Sequence, residues 1–417
     1  MIDEKKLEEY KRKYAHLIVV IGLNDVKGKV CRVYADLDQP DFVKLVVEEL
    51  YKRGARRVDM FWTYRPVLKT IYKYTSKHEL MKVYKPDIER LKFDLEEYSP
   101  SVTLESWDPF WMEGVDVDKV VAMRAARAKV AHPYSEKMDA VETPWCLAVL
   151  PSVSWAKRLF PNDSDEVALN KMWEKTLEAV RVLHGDPIEN WKNFNKEIKA
   201  RAKWLNSLNI KSLHYTSKNG TDLIVGINPH AQFVGGAHDS IGNPPFNPNI
   251  PAVECFTAPD CTVTEGIVYS TKPLSRSGHL MEDFSIRFHK GKIVEVKAKK
   301  GEELLKKLID SDSRSCYIGE VALVPYDSPV SNTNMIYYNT LFDENASCHI
   351  AFGYSLITSY KNDVRKLNDN ELIKLGLNRS NVHIDFMIGN KDLNIVATTC
   401  DGKKVQIFKN GNWAVKL

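Results

Sequence analysis

The sequence predicts a multidomain protein of mixed α/β and α+β class: an N-terminal α/β layered domain over 1–206, then a strand-rich α+β domain over 207–417. Three observations predict it. Strand-like and helix-like segments alternate through the first half, as in a largely parallel sheet with crossover helices. Two long helical patterns follow, and beyond residue 206 the apolar period shifts from helical spacing to alternation. At roughly 150 residues per domain, 417 residues hold two or three cores.

Taken in order, Val30–Tyr34 reads as a strand. Asp41 is placed to cap a helix whose apolar residues Phe42, Leu45, Val46 and Leu50 share a face and which stops at Gly54. Arg57–Trp62 reads as a second strand. Helical patterns recur over Ile88–Leu95 and Val120–Arg127. Cys146–Leu150 is a buried-type strand leading into a helix with Trp155 and Ala156. The first long helix runs from about Ser164 to Leu183. Gly185-Asp186-Pro187 breaks the chain, and Pro187 suits the first turn of the next, which ends near Asn206. Strands are then expected at Leu213–Thr216, Asp222–Ile227, Val263–Tyr269, Phe284–Phe288 and Lys292–Lys297, the last two joined by a Lys290-Gly291 hairpin turn. Gly235, Gly236 and Gly242 read as turn residues.

Composition removes several function classes. A 44% hydrophobic share is too rich for disorder, and 59 basic against 55 acidic residues is too even to call for nucleic acid. The longest apolar run, His16–Leu23, is far shorter than the roughly 18 residues of a membrane span, so no membrane partner is expected. Seven scattered cysteines with no CxxC pair read as reduced thiols in the cytoplasm. No GxSxG elbow, HExxH helix or P-loop occurs.

Carboxylates and imidazoles in apolar, restrained settings mark the second half. Glu254 lies in NIPAVECFTAP, Glu320 in CYIGEVALVP, Asp343, Glu344 and His349 in LFDENASCHIAFG, and His383 and Asp385 in HIDFMIG. His383 and Asp385 are two apart on a strand pattern and so point to one face. Four carboxylates (Glu254, Glu320, Glu344 and Asp385) drawn into one pocket do not all stay ionised unaided, and two divalent cations balance them. Mixed carboxylate and imidazole ligation suits zinc, cobalt or manganese. Cys348 and His349 are strand neighbours facing opposite ways, so they form no thiol dyad.

At these residues the chain resembles the thermophilic-type metalloaminopeptidases, the dinuclear metallopeptidase family that includes aminopeptidases T and S. The resemblance is carried by Trp145–Pro161, DPIENW (Asp186–Trp191), Thr221–Ile227, the segment around Glu254, TKPLS (Thr271–Ser275), GEVALVP, LFDENASCHIAFG and Gly376–Gly389. It implies an exopeptidase that removes N-terminal residues from short peptides with two divalent ions, acting as a homodimer. It assigns Glu254, Glu320, Glu344, His349, His383 and Asp385 as ligands or carboxylates beside the metals, with Glu320 bridging and Glu320 or Glu344 as general base. One departure stands out: family members usually carry a catalytic tyrosine seven positions after the HIAFG histidine, and here that position is Leu356, with tyrosines at Tyr354 and Tyr360. Tyr354 is the residue expected to substitute. The alternative is a catalytically impaired, dimeric peptide-binding or scaffold protein of the same fold.

Overall fold

A computed structural model describes residues 1–139, 141–240, 243–276 and 278–417; Gly242 lies outside them. The chain divides into two compact units. The first holds Met1–Lys192, Ala237–Pro251 and Ser277–His279; the second holds Asn193–Gly236, Ala252–Arg276 and Leu280–Leu417. No helix among the described residues is long and apolar enough to cross a membrane.

The first unit is built on a five-stranded parallel sheet. Val30–Asp36 sits between Arg57–Thr63 on one side and Ser101–Glu105 on the other. Trp145–Val149 and the short Asn249–Ile250 extend the sheet. The intervening helices follow the apolar periods, with two corrections. Asp41 is not the cap of its helix: Pro40–Lys52 starts at a proline, whose fixed φ suits the first turn, and Asp41 lies inside that turn. Val117–Asp139 is one 23-residue helix rather than a short one, with Pro133 inside it. A ladder of ion pairs ties strands to helix Lys85–Glu96: Arg32 to Asp94 at 2.6 Å, both fully buried, Asp94 to Arg90 at 3.2 Å, Arg90 to Asp59, and Asp59 to Arg57 at 2.6 Å.

The second unit stacks two antiparallel sheets. The larger, of nine strands, includes Ile210–Thr216, Asp222–Ile227, Pro259–Tyr269 and the hairpin His279–His289/Lys292–Lys300. Lys290 and Gly291 both have positive φ, the backbone a two-residue hairpin demands. A Cβ on Gly291 would stand 1.9 Å from Cys261 O. The smaller sheet has the order His383–Met387, His349–Gly353, Ile318–Leu323, Cys255–Thr257, Val234–Gly235. Its back is apolar: Val321, Ile350, Phe352, Ile384 and Phe386 are buried, and Phe386 meets Phe284 of the larger sheet with ring centroids 5.5 Å apart. That packing fixes which side chains face the other way.

Candidate metal centre

The register of the smaller sheet collects the acids and imidazoles on its front. Glu320 pairs with Ala351, which pairs with Asp385; Ala322 pairs with His349, and Gly353 with His383. Directly opposed residues of an antiparallel sheet share a face, so Glu320, His349, His383 and Asp385 all project forward. Ala351 and Gly353 lie between them with little or no side chain, which leaves room above the floor. A register shift between Ile318 and Glu320 re-aims Glu320 forward while Ile318 stays in the core. Gly319 makes that bulge possible: a Cβ there would lie 2.4 Å from Gly353 O.

Two further carboxylates come from outside the strands. Asn345 holds them: its Oδ1 accepts from Val253 N at 2.6 Å, and its Nδ2 donates to Leu341 O at 2.8 Å. This anchors the residue before Glu254 to the short helix Thr340–Glu344, whose last residue is Glu344. Asp343 turns the other way and accepts from Tyr337 N at 2.9 Å.

Three overlapping groups result, each with donor atoms within 4.8 Å of one another: Glu254, Glu320 and His349; Glu320, His383 and Asp385; Glu344, His349 and Asp385. Glu320 splits its oxygens, Oε1 lying 3.6 Å from His349 Nε2 and Oε2 3.6 Å from His383 Nε2. Glu254 Oε2 is 3.0 Å from His349 Nε2, and Asp385 Oδ1 is 3.2 Å from His383 Nε2. Both imidazoles are oriented from behind. His349 Nδ1 lies 3.0 Å from Glu344 O and 3.1 Å from Ser347 O, and His383 Nδ1 lies 2.7 Å from Tyr354 O. Carbonyls only accept, so Nδ1 carries the hydrogen in both rings and Nε2 is the nitrogen offered to the carboxylates.

This arrangement is electrostatically strained without a cation. Burial, reinforced by the charges of Asp385 and Glu254, pushes Glu344 well above the usual carboxylate range, and burial also raises Glu320. Burial alone would lower His349, but its contacts with Glu254 and Glu320 outweigh that and hold it well above an ordinary imidazole. His383 behaves likewise and is raised to about 10, chiefly by Asp385 against the effect of burial. Asp385 is held low, the His383, His349 and Arg276 charges overcoming its burial. Glu254 Oε2 is buried with His349 Nε2 beside it at 3.0 Å. Carboxylates gathered around imidazole Nε2 atoms are a donor set that fits divalent cations.

All six residues expected to bind metal therefore meet in one place. Tyr354 meets them through its backbone carbonyl, and its ring lies 4.8 Å from that of His383. Tyr360 packs instead in an apolar cluster with Ala231, Ala258, Val364, Leu372 and Leu377, its buried hydroxyl without a partner among the described residues. Cys348 is buried and exchanges hydrogen bonds with Val324, and burial raises its thiol to about 12, so it offers no thiolate.

A family model described as thermophilic metalloprotease (M29) matches residues 7–413. The chain belongs to that family. Aminopeptidase AmpS of Bacillus subtilis is 37% identical over 402 residues, covering 96% of this chain and 97% of its own. Aminopeptidase 2 of Geobacillus stearothermophilus is 35% identical, with 99% of each chain covered. The solved structure of wild-type AmpT from Thermus thermophilus superposes with a TM-score of 0.90 at 32% identity, covering 98% of this chain and 100% of that one. An M29 metalloprotease is a metal-dependent hydrolase, and the carboxylate–imidazole cluster supplies donors of the kind such an enzyme needs.

Three features of the centre were not read from the sequence. Asn345 looks like any helix-terminal asparagine, and the Gly319 bulge has no sequence signature apart from the glycine. Lys272 and Arg276, whose charges bear on Asp343 and Asp385, lie far from either in the chain.

Proposed function

We propose that this M29 metalloprotease is an aminopeptidase working with two divalent cations. The observation that carries the reading is Glu320, with one oxygen turned toward each imidazole. Glu254, Glu320 and His349 would hold one ion, and Glu320, His383 and Asp385 the other, with Glu320 common to both. Zinc, cobalt and manganese suit this donor set. Bound there, the ions would supply Lewis-acid polarisation of the scissile carbonyl and charge balance for the carboxylates.

The remaining steps belong to the chain. The back-side carbonyls of Glu344, Ser347 and Tyr354 lock both imidazoles in the ligating tautomer. Glu320 has both oxygens committed to the imidazoles, which leaves Glu344 as the proton carrier. It ends the short helix Thr340–Glu344 beside the ligand set, and would take a proton from the attacking water and return it to the leaving amine. Tyr354, set against His383, is the candidate hydrogen-bond donor to the developing oxyanion. Carboxylates of the centre would receive the substrate's free α-amine, favouring cleavage at the N-terminus. The expected catalytic region, residues 207–417, holds every one of these groups. By resemblance, the enzyme would work as a homodimer on short peptides in the cytoplasm.

The test is Glu320→Gln assayed on an aminoacyl chromogenic substrate with added Zn²⁺ or Co²⁺. Loss of nearly all turnover supports the reading, and near-normal turnover rejects it. A wild-type protein that binds metal and peptide without hydrolysis would favour the impaired scaffold instead.

A further inference from the structure

Asn378 stands five residues before His383 and has no part in the hydrolytic steps above. It is fully buried, and its amide is matched on every side. Nδ2 donates to Gly353 O at 2.6 Å and to Arg314 O at 2.8 Å, and Oδ1 accepts from Arg314 Nε at 2.8 Å. Two carbonyls and one N–H around the amide fix which of its atoms is oxygen and which nitrogen. On the main chain, Ser355 N donates to Asn378 O at 2.8 Å, and Asn378 N donates to Ser355 Oγ at 3.2 Å. Arg314 is itself held by Asp312, whose Oδ1 accepts from Arg314 N at 2.7 Å and whose Oδ2 accepts from Asn381 N at 2.8 Å.

These bonds grip the residues on either side of Tyr354. The strand His349–Gly353 ends opposite His383, and at Gly353 the backbone leaves it with φ at +109°, so sheet pairing no longer sets where the next carbonyl points. Both peptide planes that flank Tyr354 are instead bonded on both edges. In the first, Gly353 O accepts from Asn378 and Tyr354 N donates to Val382 O at 2.8 Å. In the second, Ser355 N donates to Asn378 O and Tyr354 O meets His383 Nδ1 at 2.7 Å. A trans peptide is planar with its N–H and C=O opposed, so anchoring Ser355 N–H aims Tyr354 O the other way, at the imidazole.

We infer that Asn378 is a positioning residue for the metal centre, acting through the Tyr354 carbonyl to set the orientation of the His383 imidazole. Its side chain does this by fixing Gly353 O and Arg314 together. A buried carbonyl that loses its donor must move or stay unpaired, and Gly353 O is one residue from the carbonyl that orients His383. His349 is oriented by Glu344 O and Ser347 O instead, so the influence of Asn378 falls on one imidazole of the two. The consequence for cations rests on the two-cation reading; the consequence for His383 itself does not.

The test uses Asn378→Asp, which keeps the shape and the acceptor for Arg314 Nε but has no hydrogens for Gly353 O and Arg314 O. In metal-free protein labelled with ¹⁵N at histidine, exchange of the His383 Nδ1 hydrogen with water should speed up by roughly tenfold or more, the loss of about one hydrogen bond. The His349 Nδ1 hydrogen should keep its wild-type rate. In calorimetry, the ion held by Glu320, His383 and Asp385 should bind roughly 10–100-fold more weakly, the range for losing a partner that orients an imidazole ligand. The ion held by Glu254, Glu320 and His349 should lose much less. Ser355→Ala, a smaller change, should speed exchange at His383 in the same direction and keeps the test open should Asn378→Asp fold poorly. His383 exchange unchanged in the folded variants, or both imidazoles and both ions affected alike, overturns the inference, because a merely structural asparagine would spare neither side of the centre or trouble neither. A wild-type protein that binds one ion or none contradicts the two-cation reading, while the exchange rates, read without metal, still decide the role of Asn378.

Discussion

Replacing Glu344 by glutamine should reverse sign between the metal-free and metal-loaded protein. Glu344 and Asp385 offer oxygens within 4.8 Å of each other. Two unit charges at that separation repel by about 3.5 kcal/mol at an effective dielectric constant near 20. His349, drawn into the same group, offsets part of this, so the figure sets only the order of magnitude. A buried acid with a raised pKa holds its proton in the folded state at pH values where the unfolded chain has released it. Metal-free wild type therefore loses stability as pH rises from about 4.5, the unfolded value, through the raised folded value. Glutamine has no proton to lose, so that decline should flatten. For a unit of about 200 residues, each kcal/mol moves Tm by roughly 2–4 °C. Metal-stripped Glu344→Gln should then melt level with wild type near pH 5 and up to about 7–14 °C higher near pH 9. With metal added, the order should invert for activity, the variant losing its proton carrier. The assay is a pair of melting series across pH, with and without chelator. A metal-free variant that melts below wild type at pH 9 would mean Glu344 is an ordinary stabilising ion-pair partner, and the strained-centre account fails.

Other consequences are equally direct. His383 is raised to about 10, so its pairing with Asp385 stabilises the metal-free fold fully below about pH 6.5 and is lost as pH rises through 10; metal uptake near neutrality should therefore release protons, measurable in unbuffered titration. Asp94→Asn removes the buried partner of Arg32 and should cost about 3–5 kcal/mol in denaturant unfolding, with little change in metal stoichiometry. A Cβ at Gly353, where φ is +109°, would stand 1.9 Å from Val382 O, so Gly353→Ala should disturb the pairing with His383 and weaken metal binding in calorimetry; unchanged affinity would contradict the register argument. Of the seven free cysteines, six are buried and Cys400 is exposed, so a thiol reagent should label one site per native chain quickly and the others only on unfolding.

Local pattern carried much of the fold. The hairpin at Lys290-Gly291, the helix entered at Pro187 and the alternation of Phe284, Ile286 and Phe288 each depend on neighbours in the chain, so spacing is enough to place them. Capping at Asp41 was misread because Pro40 starts the helix two residues sooner. Residue types suggested the ligand set, but spacing did not show that its members meet. His383 and Asp385 share a face by strand period alone. That Glu320 aligns with Asp385 through Ala351 depends on two inter-strand registers and a bulge at Gly319, and that Glu254 approaches His349 depends on Asn345 bonding to Val253. Such contacts join positions 92 residues apart, and no local period encodes them. Resemblance of whole motifs supplied what periodicity lacked.

Metal titration of the stripped protein, followed by anomalous scattering from a crystal of the loaded form, tests the central claim most directly. Two ions per chain are predicted, one among Glu254, Glu320 and His349 and one among Glu320, His383 and Asp385. A single ion, none, or ions bound away from Glu320 would contradict the account.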